Sequence, residues 1–392
     1  MASNSIQETP TEENAQRIDY GPPTSSSGSS GFHIKPGVVR MRMEHHHIYR
    51  NSKAFDRPDY SEFKEYVLST IILERASDVE PGEKSRFKEI HKICVSTGAT
   101  KATYKREMLE HIIKNDIEVL IGPGDPSQGI QPLYESRNIL KSGVFCQDQQ
   151  PLRPGLLPHN YPTDQLFAED LAGKLKADGM ANSIPDSTWG YLRRVLDPIP
   201  DGAMIQSHTS FLLTICPGLF CPFFLLEVEP DSGSMEVCRN KAARGCATVI
   251  NAMRSLLRML GREDTIGPDK DTYVYCATMG EDFMEWWVGW AEVCEGGRVN
   301  WYMNCLRREG FDQDDPLLAM RRFTHNILEW GLTTRLPIIR KLVSDVYVKD
   351  TMLLAGKENI GPPEPPSTGE KRKEVHSTPP PSSRSEGGSI NG

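Results

Sequence analysis

A strand-like apolar segment that ends in two acids constrains this chain more than any other feature. Residues 222–229 read Pro-Phe-Phe-Leu-Leu-Glu-Val-Glu. Because successive side chains of a strand point to opposite faces, four of them are predicted to share one face: Phe223, Leu225, Glu227 and Glu229. Two carboxylates in apolar surroundings are costly to bury unless a cation, a base or a metal ion pairs with them. The end of this strand is therefore a candidate functional site.

A strongly basic segment follows the two acids. Between residues 234 and 260 the only acid is Glu236, and five bases are present: Arg239, Lys241, Arg244, Arg254 and Arg258. Apolar residues at helical spacing, with Ser234 as the N-cap, predict one long helix here. The whole chain carries a net charge of −8, which argues against a protein that coats nucleic acid nonspecifically. The helix either contacts phosphate or pairs with acids elsewhere in the fold.

The composition divides the 392 residues into four parts. Both ends are rich in small polar residues or proline, and they contain too few apolar side chains to offset the entropy cost of ordering. We predict a disordered N-terminal tail (1–35), a helical N-terminal elaboration (36–144), a core domain (145–350) and a disordered Pro/Ser-rich C-terminal tail (351–392).

Cysteine use and hydropathy indicate the cellular environment. The chain has 9 cysteines and no Cys-x-x-Cys pair, so neither a zinc ribbon nor a thioredoxin-type site is indicated. No secretory signal or apolar run of membrane-spanning length is apparent. We expect a reduced, soluble, intracellular protein of the cytoplasm or nucleus, with no membrane partner.

The order of periodic segments predicts the fold class. Helices are expected at 60–76, 87–94, 104–113, 164–178, 234–260 and 317–346, the last interrupted near Gly331 and Pro337. Strands are expected at 117–121, 183–191, 223–229, 272–278, 285–293 and 298–305. This order is typical of an α/β (α+β) fold with a small mixed central sheet flanked by helices.

The order of a helix, a Pro-Asp turn, two strands ending in Glu-x-Glu and a basic helix resembles the core of the PD-(D/E)XK nuclease-like superfamily. The resemblance implies that Asp186, after Pro185, meets Glu227 in the middle of the sheet. It also implies phosphodiester hydrolysis, in which the carboxylates hold Mg²⁺ or Mn²⁺ and a lysine orients the attacking water.

Residues 145–346 also resemble an uncharacterised fungal domain family. Four motifs carry this resemblance in order: Pro-Asp-x-x-x-Gly-Tyr at 185–191, the Pro-Phe-Phe strand at 222–229, the Arg-Asn-Lys helix at 239–251, and a helix beginning His-Asn-Ile-Leu-Glu-Trp-Gly at 325–331. The resemblance implies that residues 145–350 form a nuclease-like core domain.

The chain departs from both patterns at the chemical centre. Glu229 stands where the superfamily has lysine, and Lys241 stands where the fungal family has glutamine. Either Lys241 is a relocated catalytic lysine, with Glu229 as an auxiliary group, or the fold has lost its chemistry. We therefore expect a catalytically impaired or non-enzymatic protein without a cofactor. The alternative is a nuclease whose catalytic residues are Asp186, Glu227, Glu229 and Lys241, with Mg²⁺ or Mn²⁺ on Asp186 and Glu227.

Other side chains have competing interpretations. Nucleic acid could bind the basic helix 234–260 through Arg239 and Arg244, or the partner could be a protein. The tryptophans at 286, 287 and 290 could stack on bases, but packing of the sheet explains them better. Glu169 could point into the site, although a solvated helix face is the better explanation.

Overall fold

The computed structural model describes residues 35–74, 79–113, 144–148, 152, 183–196, 213–216, 219–229, 235–262, 267–268 and 271–358. The helices are α1 Pro36–His45, α2 Ser61–Ile72, α3 Pro81–Ser96, α4 Lys101–Ile112, α5 Met235–Met259, α6 Pro316–Trp330 and α7 Leu336–Glu358. The strands are β1 Ile48–Arg50, β2 Val144–Asp148, β3 Ser187–Tyr191, β4 Phe220–Val228, β5 Gly267–Pro268, β6 Val274–Met279, β7 Phe283–Val293 and β8 Val299–Gly310.

The strands form one open, mixed sheet in the order β1-β8-β7-β6-β4-β3-β2, with β5 paired to β7. The pairs β4–β6 and β1–β8 are parallel, and the others are antiparallel. The predicted mixed α/β class is confirmed. The sheet is larger than predicted, because β8 extends to Gly310 and the N-terminal segment adds β1 to its outer edge.

Helices cover both faces of the sheet. On β4, the neighbours Leu225 and Leu226 belong to different apolar cores. Leu225 packs in the core that joins α1 and α5 to the sheet, whereas Leu226 packs in the core formed with α2, α3, α4 and α6. The functional side chains at the end of β4 therefore lie between two helical layers.

The long helix α5 links the parallel strands β4 and β6 and lies close to them. A Cβ atom on Gly245 would stand 2.9 Å from the Leu225 side chain, and one on Gly289 would stand 2.6 Å from Cys246. These glycines permit the close approach that brings the first turns of α5 over the end of β4.

The predicted alternation of β4 fails at Phe223. Its ring stacks on Tyr191 at a centroid distance of 5.3 Å, and it belongs to the same core as Phe224. The pairing of β3 with β4 shifts between Trp189 and Tyr191, and a Cβ atom on Gly190 would stand 2.9 Å from the Phe220 carbonyl oxygen. The irregularity lies beside Pro222, which has no amide hydrogen to donate to the ladder.

The C-terminal helices continue further than predicted. The interruption at Gly331 is a π-helical turn, Gly331–Arg335, and Pro337 lies in the first turn of α7, where a missing amide hydrogen is tolerated. The helix α7 extends to Glu358 and so crosses the C-terminal boundary predicted at residue 351. The predicted elements at 117–121 and 164–178, the predicted N-cap Ser234 and most of both tails lie outside the described residues.

The three tryptophans of β7 are packing residues. Trp286, Trp287 and Trp290 are all buried. Trp290 stacks on Tyr302, and Trp286 packs edge-on against Phe323. Their rings are therefore not presented to a nucleic acid base, as the packing interpretation predicted.

Candidate functional site

The pairing register of β3 and β4 brings the two predicted acids together. Ser187 pairs with Leu226 and Thr188 pairs with Leu225, so Asp186 lies opposite Glu227 when the register is continued by one residue. Directly opposite residues of an antiparallel pair project to the same side. The Pro-Asp turn thus delivers Asp186 to the end of β4.

The Asp186 carboxylate is held by two donors. Its Oδ2 atom accepts a 2.8 Å hydrogen bond from the Val228 amide nitrogen, and it lies 2.6 Å from the Lys101 ammonium. Only 5% of the Asp186 side chain is exposed. The hydrogen bond from Val228 links the Pro-Asp turn to the strand that carries Glu227. It therefore fixes the position of one carboxylate relative to the other.

Glu227 is a buried carboxylate without a hydrogen-bond partner. It is 1% exposed, and neither carboxylate oxygen has a partner within the described part of the chain. Burial and, to a smaller extent, the charge of Asp186 raise the pKa of Glu227 to about 8, although Lys241, Lys101 and Arg244 oppose this increase. Native proteins seldom leave such a buried carboxylate unsatisfied, which makes Glu227 a candidate functional group.

Two lysines of α4 reach the site from the helical layer on the face of the sheet opposite to α5. The Lys105 ammonium donates to the Asp186 carbonyl oxygen at 2.8 Å and to Ser187 Oγ at 3.4 Å. Burial lowers the pKa of Lys101, but its bond to Asp186 and the charges of Glu227 and Glu229 raise it more, so the net direction is upward. The ammonium of Lys101 thus contacts Asp186 and lies within the electrostatic influence of Glu227 and Glu229.

Sequence reasoning missed both of these lysines. The available signal was that Lys105 occupies the apolar stripe of α4 with Met108, Leu109 and Ile112, a position where an unpaired lysine would be costly. Lys101 gave no comparable signal, because it lies in the first turn of a helix more than 80 residues before Asp186.

Lys241 lies on the other side of the acids. Its ammonium is 3.6 Å from the Glu229 carboxylate, and 34% of its side chain is exposed. It also lies close enough to Glu227 to lower that residue's pKa. Lys241 therefore borders the site, but its ion pair is with Glu229, whereas Asp186 is paired with Lys101.

The comparison with domain families identifies the region that contains this site. Residues 83–343 match DUF7924, which is described as a domain of unknown function. The chain belongs to the DUF7924 family. The DUF7924 match begins within the predicted N-terminal elaboration, at α3, so Lys101 and Lys105 lie inside it together with Asp186 and Glu227. No curated protein matches the chain.

Two arginines of the basic helix α5, in the DUF7924 region, have their guanidinium groups inside the fold. Arg239 donates two 2.8 Å hydrogen bonds to the carboxylate of Glu285, which is fully buried and also accepts from Arg308 and Thr278. Arg254 is buried as well. The interpretation that these bases pair with acids elsewhere therefore applies to Arg239, whose predicted role in nucleic-acid binding gains no support from this geometry.

Arg244 has a different environment. It is partly buried, and burial lowers the pKa of its guanidinium, whereas the charge of Glu227 raises it. Arg244 thus borders the acidic site rather than forming a separate basic surface, and its predicted contact with nucleic acid remains a prediction.

Among the described residues of the DUF7924 region, two neighbouring carboxylates could hold a metal ion. No group of three His, Cys, Asp or Glu side chains with metal-binding spacing occurs in the described residues, and the candidate Glu169 lies outside them. Mg²⁺ is often bound by one or two carboxylates, with water and substrate phosphate completing its coordination. Asp186 and Glu227 fit that mode, because Glu227 has two oxygens available.

The described helices include none that is long and apolar enough to cross a membrane.

Proposed function

We propose that this protein is a metal-dependent phosphodiester hydrolase of DNA or RNA, with Mg²⁺ or Mn²⁺ held by Asp186 and Glu227. The observation that carries the proposal is the buried Glu227 carboxylate, which has no hydrogen-bond partner in the described structure and lies beside a second acid. A buried like-charged pair is unfavourable by itself. A divalent cation between the two groups would remove that penalty.

The arrangement of strands supports the proposal. The antiparallel strands β2, β3 and β4 are followed by α5 and then by β6, which runs parallel to β4. The resemblance to PD-(D/E)XK nucleases implies an Asp and a Glu that meet in the middle of such a sheet. The bound ion would supply positive charge to the phosphate undergoing hydrolysis.

The chain's own residues have separate tasks in this proposal. Asp186 and Glu227 bind the cation, and the Val228 amide keeps Asp186 in place. Lys241 and Arg244, on α5, and Lys101, on α4, add positive charge around the acids. That charge favours the approach of a phosphodiester to a protein that is acidic overall.

Metal binding and cleavage should be tested on the full chain. Mn²⁺ should raise the melting temperature of the wild type and bind measurably by calorimetry, and both effects should be lost in Asp186→Asn and Glu227→Gln. Asp271→Asn is a matched control, because Asp271 is an exposed carboxylate paired with Arg262. Single- and double-stranded DNA and RNA should be cleaved with Mg²⁺ or Mn²⁺ only when both acids are intact. Mn²⁺ binding without cleavage of any of these substrates would contradict the hydrolase assignment.

A non-catalytic binding protein is the second candidate. It is favoured by Glu229, which stands where the nuclease resemblance calls for lysine. This candidate predicts salt-sensitive oligonucleotide binding without a metal requirement, weakened by Arg244→Glu. Arg239 is unsuitable for this test, since its guanidinium binds Glu285 and reversal of its charge would disturb the fold. If no oligonucleotide binds at low salt, a protein partner becomes the candidate.

A further inference from the structure

We propose that Lys101 supplies the ammonium group that the Glu-x-Glu strand lacks, so that the lysine of this site comes from α4 rather than from β4 or α5. The inference rests on the proposed hydrolase function. It assigns to Lys101 two states: an ion pair with Asp186 when no cation is bound, and a contact with the substrate phosphodiester or the attacking water when the cation is in place.

The geometry distinguishes Lys101 from Lys241. The Lys101 ammonium lies 2.6 Å from Asp186 Oδ2, the same oxygen that accepts from the Val228 amide. Lys241 lies 3.6 Å from Glu229, which is not one of the two proposed metal ligands. Of these two lysines, Lys101 therefore lies closer to its carboxylate partner, and only its partner is a proposed metal ligand.

The remaining contacts of α4 hold Lys101 at the site. One turn later, Lys105 is buried and donates to the backbone of Asp186, and Tyr104 donates to the Gly280 carbonyl oxygen at 2.8 Å. The Thr100 side chain caps the start of the helix by accepting from the Thr103 amide. The start of α4 is thus fixed on several sides, while 29% of the Lys101 side chain remains accessible to solvent and substrate.

A cation on Asp186 and Glu227 would compete with the Lys101 ammonium for Asp186. Removal of the ammonium should therefore tighten cation binding, because the ion no longer displaces an ion pair or faces a nearby positive charge. Loss of the same group should slow cleavage, since a charge positioned for the reacting phosphate is missing. A lysine with only a structural role would not produce this combination of tighter cation binding and slower cleavage.

The test compares Lys101→Met, Lys101→Arg and Lys241→Met, with Lys84→Met as control, because Lys84 is a partly exposed lysine that pairs with an aspartate, Asp315, away from the site. Calorimetry with Mn²⁺ alone should show Lys101→Met binding about threefold to fivefold more tightly than the wild type. Its turnover of a short oligonucleotide, measured with saturating Mn²⁺ below the melting transition of the variant, should fall by at least about 100-fold. Lys101→Arg should retain part of the activity, and Lys84→Met should match the wild type.

The possible failures are distinguishable. If the wild type binds Mn²⁺ and cleaves, but Lys101→Met cleaves normally, Lys101 is only a counter-ion and the inference is wrong. If Lys241→Met loses more turnover than Lys101→Met, the ammonium belongs to α5 and the inference is again wrong. If the wild type binds no Mn²⁺ or cleaves no substrate, the hydrolase proposal fails first and this inference fails with it.

Discussion

The Val228 amide nitrogen lies 2.8 Å from Asp186 Oδ2 and donates a hydrogen bond to it. Because Val228 directly follows Glu227, this bond fixes one acid relative to the other through the backbone of β4. The pair is therefore built into the register of β3 and β4, and its electrostatic cost is part of the folded state.

The metal-free wild type, kept in EDTA, should lose stability as the pH rises. The Glu227→Gln substitution should remove this loss. The folded pKa of Glu227, raised by burial to about 8, exceeds its ordinary value of 4.5, so the folded state favours the protonated form. Its stabilising contribution is complete below the unfolded pKa and is lost as the pH rises through the folded pKa. Between about pH 4.5 and 8 the wild type should lose up to about 1.4 kcal/mol per pH unit relative to Glu227→Gln. Urea unfolding at several pH values measures this difference, and parallel profiles of the two proteins would refute it.

Glu285→Gln should destabilise the fold strongly. Glu285 is fully buried and neutralises Arg239, and its loss would leave a largely buried guanidinium without its countercharge. Removing one partner of a buried ion pair costs about 3–5 kcal/mol. Asp271→Asn provides the control, because its exposed ion pair should contribute about 1 kcal/mol or less. Denaturant unfolding of both variants would show whether the ion pair of Glu285 stabilises the fold. Equal losses in the free energy of unfolding would argue against that role.

Gly331→Ala should also lower stability. A Cβ atom at this position would lie 2.3 Å from the Phe223 ring, and the Gly331 carbonyl oxygen accepts from the Tyr191 hydroxyl. Overpacking of this kind costs about 1–3 kcal/mol. Gly82→Ala, in the first turn of α3, has open space around it and should be neutral or stabilising by up to about 1 kcal/mol. Calorimetric melting of the two variants should therefore give changes of different size, and a loss at Gly82 as large as that at Gly331 would contradict the steric argument.

Lys105→Met should weaken both the fold and metal binding. It removes the donor to the buried Asp186 carbonyl, a loss that costs about 1–3 kcal/mol. Because that donor positions the Pro-Asp turn, Mn²⁺ affinity should fall, in contrast to the increase expected for Lys101→Met. Lys92→Met, at an exposed position on α3, should change stability by less than about 0.5 kcal/mol. Calorimetry and thermal melting separate the two effects, and unchanged Mn²⁺ affinity in Lys105→Met would exclude the positioning role.

Local patterns in the sequence predicted much of the sheet and its long helix. The spacing of apolar residues placed β6 and β7 within two residues of their observed ends. The alternation of β4 predicted the face of Leu225, but it failed at Phe223, where the irregularity beside Pro222 depends on the partner strand.

The basic side chains of the site were harder to predict than its strands. Lys241 follows the acids within one strand–helix unit, so its proximity could be expected from the sequence. Lys101 and Lys105 meet Asp186 only because α4 packs beside the end of β3, and that contact depends on tertiary packing across more than 80 residues. A local pattern contains no information on such a contact, and the proposed boundary at residue 145 separated these lysines from the acids.

The three-residue strand β1 has a further consequence. Its pairing with β8 occupies part of the outer edge of the sheet, from Trp301 to Met303. A truncated chain that begins after Arg50 would expose these backbone donors and acceptors to other molecules, and open strand edges are templates for intermolecular pairing. Fragments designed from the 83–343 family boundaries alone should therefore self-associate more readily than the full-length chain.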